Sequence, residues 1–479
     1  MSAADLTALL PLIVLAATPV VVMVVIAFHR SHRVTALITL AGMATAFGML
    51  RQAAAAGPRR VTALLVIDAY ALFYVGLILA AGIITALLAY EYFRRRDGAP
   101  DEFYILLLIA TAGAAVLAAS SHFASLFLGF EMLSVSLYAM IAYQRGRERS
   151  DEAGLKYLIL AGTSSSFLLF GMALVYARTG TMEFTGIAGS AAAMQGEAVF
   201  ISGLIMIIVG IGFKLALVPF HLWTPDVYEG APAPVSAFIA TVSKGAVFAL
   251  LLRLFAVMDI HDSPVLTAIF ALLAAASMLI GNILALFQHN VKRLLAYSSI
   301  AQLGYALVAA IAGGALSATA VSYYLAAYFI TILGAFGIVS LLSGGEAEAE
   351  MIEEYQGLAW RRPWIAGSLT ALLLSLAGIP LTAGFIGKFY VVAAGARSAL
   401  WPLLIVLVIS SAIGLFYYLR VIAALYARVP EERERAGIAP FLSFTGSAVL
   451  ILLITALIVL GIHPSPLIAL LETTVARLL

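Results

Sequence analysis

The sequence predicts an all-α integral membrane protein of about fourteen transmembrane helices. Of its 479 residues, 63% are hydrophobic and only 11% are charged, and the mean hydropathy is +1.06. Apolar stretches of about 20 residues recur along the whole chain, and this is the length that crosses a bilayer core as a helix. These runs are continuous rather than alternating, which excludes the strands of a membrane β-barrel.

Charged or glycine- and proline-rich loops separate the predicted spans. The spans cover residues 6–28, 34–56, 70–90, 102–120, 122–143, 153–177, 198–222, 232–257, 264–287, 291–312, 317–343, 363–395, 400–427 and 442–463. The first run is too long for a signal-peptide core and has no basic segment before it, so we expect it to remain a span. Residues 61–69, VTALLVIDA, are too few to cross and predict a strand or hairpin at the membrane face.

Arginines in the loops predict how the chain is oriented. With the N-terminus outside, the loops on the inner face contain most of them, for example Arg94, Arg95 and Arg96. Because basic loops stay on the cytoplasmic side, we expect both termini to lie outside and the number of spans to be even.

The sequence contains no signature of a cofactor or metal site. It has no cysteine, which excludes disulfides and iron–sulfur clusters held by thiolates. It also has no phosphate-binding GxxxxGK[ST] loop and no dinucleotide-binding glycine fingerprint. His29 and His32 lie in a basic loop, so we expect no metal there.

The charged residues inside the spans are mainly lysines. Four of the five lysines are intramembrane, whereas the loops contain almost only arginine. The four are Lys156, Lys214, Lys244 and Lys388. Glu131 is the one acidic residue clearly in the middle of a span. A charge at mid-bilayer costs about 2.5–3.5 kcal/mol, so these groups must face one another or water.

These residues predict a chain of titratable sites. Burial disfavours the charged form of a lysine, which can then release its proton, whereas arginine stays charged. Glu131 would pair with a lysine of span six or seven, and Lys214, Lys244 and Lys388 would pass protons through bound water. The alternative is a static ion pair that fixes helix packing. It stays open for Glu131 with one lysine, but one carboxylate cannot neutralise four ammonium groups.

Other polar residues near the spans have weaker claims to function. We expect Arg253 and Arg420 to extend toward the membrane surface as structural residues. His221 follows the seventh span and is either a proton relay or an interfacial residue. The acidic segment EAEAEMIEEY, residues 346–355, predicts a solvated loop.

Two proline-interrupted spans suggest an internal repeat. Pro219 and Pro380 break spans seven and twelve, and five spans separate these positions. An odd number of spans per unit inverts the second copy, and inverted repeats with broken helices are typical of transporters. The predicted organisation is three N-terminal helices in 1–101, a first unit with a proton half-channel in 102–260, a second unit in 261–430 and a last helix in 431–479.

Long segments of the chain resemble the antiporter-like membrane subunits of respiratory complex I, the NADH–quinone oxidoreductase. They are FKLALVPFHLWTPDVYEGAPAPVSAFIATVSKGAVFAL (213–250), NVKRLLAYSSIAQLGY (290–305), SYYLAAYFITILGAFG (322–337), YQGLAWRRP (355–363) and AGIPLTAGFIGKFY (377–390). The motifs occur in the same order, cover the chain from about residue 60 to 430, and are most similar to the branch called subunit N in bacteria.

The resemblance implies a fourteen-helix fold with two inverted five-helix repeats in a multi-pass protein of the bacterial inner membrane. It implies that Glu131, Lys156, Lys214, Lys244 and Lys388 translocate protons while other subunits reduce quinone. Flavin mononucleotide (FMN), iron–sulfur clusters and quinone would bind in those subunits, and no cofactor here. The partners would be other membrane-arm subunits, including a sister antiporter-like subunit, and the lipid bilayer, but no nucleic acid.

The sequence departs from this family at one position. Many relatives carry histidine where this chain has Gln302, and glutamine cannot titrate, so a relay there would need water. Subunits of multi-subunit Na⁺/H⁺ antiporters and of membrane-bound hydrogenases share the fold and the lysines of spans seven and eight. They remain the alternative, although YQGLAWRRP and ITILGAFG favour the respiratory complex.

Overall fold

Long helices joined by short loops make up most of the chain in the computed structural model. It describes residues 2–96, 100–144, 146–194, 196–258, 263–344, 348–428 and 443–475. The helices are α1 (Ala3–Phe28), α2 (His32–Ala55), α3 (Ala69–Phe93), α4 (Asp101–Ala119), α5 (Phe123–Ile141), α6 (Glu148–Thr179), α7 (Phe184–Met194), α8 (Ala198–Leu215), α9 (Trp223–Gly230), α10 (Ala233–Val257), α11 (Pro264–Leu286), α12 (Val291–Ala312), α13 (Gly314–Leu342), α14 (Leu358–Arg361), α15 (Pro363–Ala377), α16 (Ala383–Arg397), α17 (Trp401–Tyr426), α18 (Phe444–Ile462) and α19 (Ser465–Thr474). Strands β1 (Arg59–Val61) and β2 (Leu65–Ile67) and a 3₁₀ turn (Ile352–Tyr355) complete the described elements.

The helices confirm the predicted all-α membrane fold. Thirteen helices in the described residues are long and apolar enough to cross a bilayer. The fourteenth crossing is divided between α15 and α16, which have 15 residues each and are separately too short to span. The chain is therefore a multi-pass membrane protein with the predicted number of crossings.

Three helices form the centre of the bundle. In α10 every residue of the most apolar 18-residue stretch is buried inside the protein. In α12 and α13 the buried share of that stretch is 94%, against 33% in α1 and α18. A helix that is apolar on all sides can be surrounded by other helices, while one with a lipid-facing side lies at the edge. Lys244 lies on α10, so this lysine is in the innermost layer.

The first interruption in the bundle follows α8. The seventh span was predicted to continue to residue 222, but the helix ends at Leu215, and Ala216 adopts a left-handed conformation with φ 59°. Seven residues later the short helix α9 begins. The predicted break near Pro219 is confirmed, and Lys214 lies in the last helical turn before it.

The second interruption separates α15 from α16. Gly378 follows α15 with φ +84°, and a Cβ atom on it would lie 2.7 Å from Cδ of Lys388. Glycine is therefore required here both for the backbone conformation and to leave room for the lysine. The break near Pro380 is confirmed, and the packing places Lys388 against it.

The same order of elements occurs twice along the chain. In residues 101–257 the crossings are α4, α5, α6, the broken pair α8 and α9, and α10. In residues 264–426 they are α11, α12, α13, the broken pair α15 and α16, and α17. The fourth crossing is the interrupted one in both series, as expected of two five-helix repeats.

Two polar faces close the bundle at opposite ends of the helices. At one end β1 pairs antiparallel with β2, which confirms the predicted hairpin. The carbonyl of Leu64 at its turn accepts a hydrogen bond from the amide of Ser121, which precedes α5. We call this end the hairpin face. The opposite end contains the described residues 343–344 and 348–351, and we call it the loop face.

Candidate functional site

Lys214 is held by hydroxyl groups in the first half of the bundle. Its side chain is 1% exposed, and its ammonium donates to Ser134 Oγ at 2.7 Å and to Tyr157 Oη at 2.9 Å. The ring of Phe130 lies 4.9 Å away and covers another side. Helix α5 supplies the serine and the phenylalanine, and α6, which packs against α8, supplies the tyrosine.

Glu131 does not form the predicted ion pair with a lysine. Its carboxylate accepts a hydrogen bond of 2.5 Å from Ser165 on α6, and the described residues place no basic group within 4.0 Å of it. Glu131 and Ser134 are three residues apart on α5 and therefore share one helix face. The acid and Lys214 thus approach the same region from neighbouring turns without direct contact.

Lys244 lies at the centre of the bundle with a serine as its partner. Its ammonium donates to Ser299 Oγ at 2.7 Å, and Tyr328 donates to the same oxygen at 2.6 Å. Tyr228 presents its ring 5.4 Å from the ammonium. The π-helical turn Ile239–Ser243 comes just before Lys244, and such turns are frequent at functional sites.

Lys388 lies beside the second helix break. Its ammonium donates to the carbonyl of Ala377 at 2.9 Å and to Ser411 Oγ at 2.8 Å. The carbonyl of Ala377 is available because the break ends α15 at this residue. The ring of Tyr305 lies 4.9 Å from the ammonium.

A small cavity lies beside Lys388 and Tyr328, the tyrosine that shares Ser299 with Lys244. Its volume is about 10 Å³, close to the smallest that holds one water molecule. Both Lys388 and Tyr328 line it. Gln302 also lines it and is fully hydrogen-bonded, since it accepts from Tyr324 and donates to Leu376 O at 3.0 Å and Tyr418 Oη at 3.2 Å.

The three central lysines share one property. Within the described part of the chain, no carboxylate lies within 4.0 Å of Lys214, Lys244 or Lys388, although all three are buried. Hydroxyls, carbonyls and aromatic faces surround them instead. A static role in packing would call for a counter-charge, because an unpaired buried ion is costly.

Lys156 differs from the other three lysines. Its side chain is 42% exposed, and it pairs with Glu152 at 2.6 Å and Asp226 at 2.8 Å. Lys156 is therefore not buried within the protein as the other three are, although it lies in α6, a helix long and apolar enough to span. It lies near the start of α6, at the loop face, because that helix begins at Glu148, five residues earlier than predicted.

The remaining candidates have distinct surroundings. His221 is 6% exposed within the break after α8, and its Nδ1 has no hydrogen-bond partner among the described residues. Arg253 does not extend to the surface as predicted, because both carboxylate oxygens of Asp68 bind its guanidinium at 2.9 Å. Arg420 donates to the carbonyls of Leu286 and Gln288 at the end of α11, as a structural residue would.

A buried ion pair that the sequence did not reveal lies under the loop face. Lys292 and Glu348 are 2.5 Å apart with side chains 0% exposed. Burial opposes ionisation of Glu348, but Lys292, the hydroxyl of Tyr92 and the charge of Arg147 hold its pKa below the usual 4.5. Glu350 is also buried and pairs with Arg147 at 2.6 Å.

These contacts correct the prediction of a solvated acidic segment at 346–355. Glu348 and Glu350 point into the protein, while Glu353 is 56% exposed and Glu346 lies outside the described residues. The alternation of glutamate with alanine was a usable signal, since alternate side chains of an extended segment can face inward. Tyr324 and Tyr328 could likewise have been recognised from their four-residue spacing on one helix.

This arrangement defines an antiporter-like membrane subunit: a bundle of fourteen crossings with two interrupted helices and a buried row of lysines. The family model described as "NADH:quinone oxidoreductase/Mrp antiporter, TM" matches residues 120–414. The chain belongs to this family. Within the family it belongs to NADH-quinone oxidoreductase subunit N, as its similarity to the curated relatives shows. It is a proton-translocating membrane-arm subunit and part of an enzyme complex.

Curated relatives match almost the entire chain. NADH-quinone oxidoreductase subunit N of Nitrosospira multiformis is 53% identical over 486 residues, covering 98% of this chain and 96% of the relative. The subunit of the same name from Ectopseudomonas mendocina is 48% identical over 479 residues, with the same coverage.

Solved structures have the same fold. A chain of respiratory complex I from Thermus thermophilus with bound aureothin is 31% identical with a TM-score of 0.82, covering 96% of this chain and 98% of that one. A chain of the Mrp complex from Dietzia sp. has a TM-score of 0.84 at 20% identity, covering 100% of this chain and 98% of that one, and so shows the fold alone.

Proposed function

We propose that protons cross the bundle by way of Lys214, Lys244 and Lys388, with Glu131 modulating the first of them. The observation that carries the proposal is that these three ammonium groups are buried with no carboxylate within 4.0 Å in the described residues. Intramembrane ionisable residues that face the bundle interior mark ion pathways in membrane proteins.

The surroundings of each lysine suit proton release and uptake. A hydroxyl can accept a hydrogen bond from an ammonium and can donate one to a neutral amine, so it serves both protonation states. Ser134 and Tyr157 offer this to Lys214, and Ser299 offers it to Lys244. A carboxylate in their place would stabilise only the charged lysine and would hold the proton there.

Glu131 acts at a distance in this proposal. It shares a helix face with Ser134, which binds Lys214, so its charge would favour the protonated lysine without contacting it. Movement of Ser165, which binds the carboxylate at 2.5 Å, would change this influence. His221 is the candidate relay at the break after α8, and Lys156 would collect protons at the loop face.

The organisation of the protein follows from the repeats and the basic loops. We propose the division into 1–101, 102–260, 261–430 and 431–479, with one half-channel in each five-helix unit. The loop face, where Arg147, Arg149 and Lys292 lie, would face the bacterial cytoplasm, and both termini would be periplasmic. The location would be the inner membrane.

The remaining parts of the reaction are proposed for other subunits. Oxidation of NADH, the FMN, the iron–sulfur clusters and the quinone would belong to them, and this chain would hold no redox centre. Its partners would be other membrane-arm subunits, including a sister antiporter-like subunit, and lipid. Their quinone chemistry would drive the movement of protons through this chain.

Antiport of Na⁺ for H⁺ is the second candidate function. The family model, whose description includes the Mrp antiporter, is compatible with it. A chain of a membrane-bound sulfane sulfur reductase, at 27% identity and a TM-score of 0.82 over 99% of this chain and 98% of that one, has the same fold in another respiratory membrane complex. The high identity to complex I subunits over the full length favours proton pumping coupled to quinone reduction.

The test is proton pumping by the intact complex in liposomes, with the quinone reductase rate measured in the same sample. Lys214→Met keeps most of the side-chain volume and removes the titratable group. We expect pumping and the coupled reductase rate to fall at least about tenfold, the lower range for a lost proton-transfer group. Arg178→Met is the control, because Arg178 forms an exposed pair with Glu197.

The outcomes separate the two functions. Loss of pumping in Lys214→Met with normal assembly supports the proposal. Unchanged pumping in the lysine variant means that Lys214 is structural and overturns the route. Sodium-dependent proton movement without any quinone reductase activity would favour the antiporter.

A further inference from the structure

One serine oxygen joins Lys244 to a tyrosine in the centre of the bundle. Ser299 Oγ accepts hydrogen bonds from Lys244 at 2.7 Å and from Tyr328 at 2.6 Å. The serine is 0% exposed and the tyrosine 4% exposed, so bulk solvent does not compete for these contacts. Helices α10, α12 and α13 each contribute one of the three groups.

Tyr328 extends this contact toward Lys388. Both residues line the cavity of about 10 Å³, which is large enough for about one water molecule. The hydroxyl side chains of Thr331 and Ser375 line the same cavity and can bind that water. The two lysines therefore have a hydroxyl pair and one water-sized space between them.

Resting on the function proposed above, we propose that Ser299 and Tyr328 are the proton-transfer residues between Lys244 and Lys388, with one water molecule in the cavity. The pair would carry each proton from the central lysine to the lysine of the broken helix. It would also make the second half of the pathway depend on a single tyrosine hydroxyl.

The transfer balances without any oxidant or reductant. In the structure Tyr328 donates to Ser299 Oγ, so the transfer begins with rotation of both hydroxyls, after which Ser299 donates to Tyr328 Oη and Tyr328 donates to the cavity water. The Lys244 ammonium then gives a proton to Ser299 Oγ, which releases its own hydroxyl proton to Tyr328 Oη. Tyr328 releases its proton to the cavity water, and that water gives a proton to the neutral amine of Lys388. One proton has then moved between the lysines, both hydroxyls are intact, and Tyr328 again donates to Ser299, so the hydroxyls rotate once more before the next transfer.

Neighbouring polar residues are less suited to this role. Gln302 uses its carbonyl for Tyr324 and its amide protons for Leu376 O and Tyr418, so both ends are occupied. Tyr305 accepts hydrogen bonds from Asn282 and Ser410. Gln302 lines the cavity wall, whereas Tyr328 alone among the described cavity residues also contacts the serine that binds Lys244.

The decisive variant is Tyr328→Phe, which removes one oxygen and keeps the ring. Tyr323→Phe is the matched control, because this tyrosine is on the same helix but donates to Leu460 O at 2.7 Å, away from the cavity. We expect Tyr328→Phe to lower pumping and the coupled reductase rate about tenfold or more. Tyr323→Phe should pump within a factor of two of the unmodified complex.

A second variant keeps the test independent of folding. Ser299→Ala should have a similar effect, and the double variant should be no worse than either single one, because both would interrupt the same step. Assembly is followed by electron transfer to an acceptor that bypasses quinone. A structural defect would instead reduce that signal, and the two changes would add.

The results distinguish failure of this link from failure of the whole pathway. If Tyr328→Phe and Ser299→Ala pump normally while Lys244→Met and Lys388→Met do not, the lysines carry protons by another connection, and the inference is wrong. If the lysine variants also pump normally, the proposed function itself fails. An equal loss in Tyr328→Phe and Tyr323→Phe would show a packing effect and would also overturn the link.

Discussion

The ammonium of Lys292 lies 2.5 Å from a carboxylate oxygen of Glu348, and neither side chain has exposed surface. Lys292 is in the first turn of α12, and Glu348 lies in the loop that follows α13. The same ammonium donates to the carbonyls of Glu229 and Ala231, at 2.8 Å and 2.7 Å, where α9 ends and before α10 begins. The pair therefore ties the first five-helix unit to the second under the loop face.

Removing the acid of this pair should destabilise the protein strongly. Glu348→Gln leaves the Lys292 charge buried with carbonyl partners only, and breaking a buried pair costs about 3–5 kcal/mol. The free energy of unfolding in mixed detergent micelles measures this loss. Glu102→Gln is the control, since Glu102 pairs with Arg30 on the surface, and it should cause no resolvable change. A neutral result for Glu348→Gln would mean that the pair is not ionised.

The same carboxylate predicts a pH dependence of stability. Since the pKa of Glu348 is held below 4.5, its contribution is complete above that value and is lost as the pH falls through the lower, folded-state pKa. The stability difference between wild type and Glu348→Gln should be constant above about pH 5.5 and narrow below it. Unfolding of both proteins across this pH range tests the prediction, and a constant difference at every pH would contradict it.

A close helix contact predicts a steric effect at Gly113. A Cβ on this residue of α4 would lie 2.8 Å from Gly129 O and 2.8 Å from Leu133 N on α5, where backbone atoms cannot yield. Gly113→Ala should lower the free energy of unfolding by about 1–3 kcal/mol. Gly48→Ala on α2 is the matched control, because nothing lies within 4 Å of its added carbon. Equal stability of the two variants would argue against this packing.

The two-oxygen contact between Arg253 and Asp68 predicts that lysine cannot replace the arginine. Arg253→Lys keeps the charge but loses the fork that binds both carboxylate oxygens, so we expect a loss of about 1–2 kcal/mol. The denaturant midpoint of the purified complex measures it. Arg60→Lys, at the more exposed pair with Glu183, should shift that midpoint much less. If the two variants behave alike, burial of Arg253 does not matter.

The exposure of Lys156 predicts a weaker effect on pumping than that of Lys214. Lys156 is 42% exposed, and its two carboxylate partners are 61% and 34% exposed, so its removal leaves no buried charge unpaired. We expect Lys156→Gln to retain about half or more of the pumping rate, against a loss of about tenfold or more for Lys214→Gln. Both are measured in liposomes at equal assembly. A tenfold loss in Lys156→Gln would place it in the obligatory pathway.

Much of the fold could be predicted from the sequence because the bilayer imposes a simple rule. Twenty apolar residues in a row must form a helix that spans, and this determined the fourteen crossings without any knowledge of their neighbours. Pro219 and Pro380 marked the two interrupted helices because proline cannot continue helical hydrogen bonding. The concentration of lysine in the spans also singled out Lys214, Lys244 and Lys388.

Only the tertiary structure decided which charges meet. Glu131 binds Ser165 rather than a lysine, Lys156 pairs with Asp226 at the loop face, and Glu348 is buried against Lys292. Such contacts depend on the depth and rotation of each helix, which hydropathy does not determine. The sequence by itself therefore determined the crossings and the titratable residues. Packing of α10, α12 and α13 decided that Ser299 and Tyr328 lie beside Lys244, because contacts between helices depend on side chains distant in the chain.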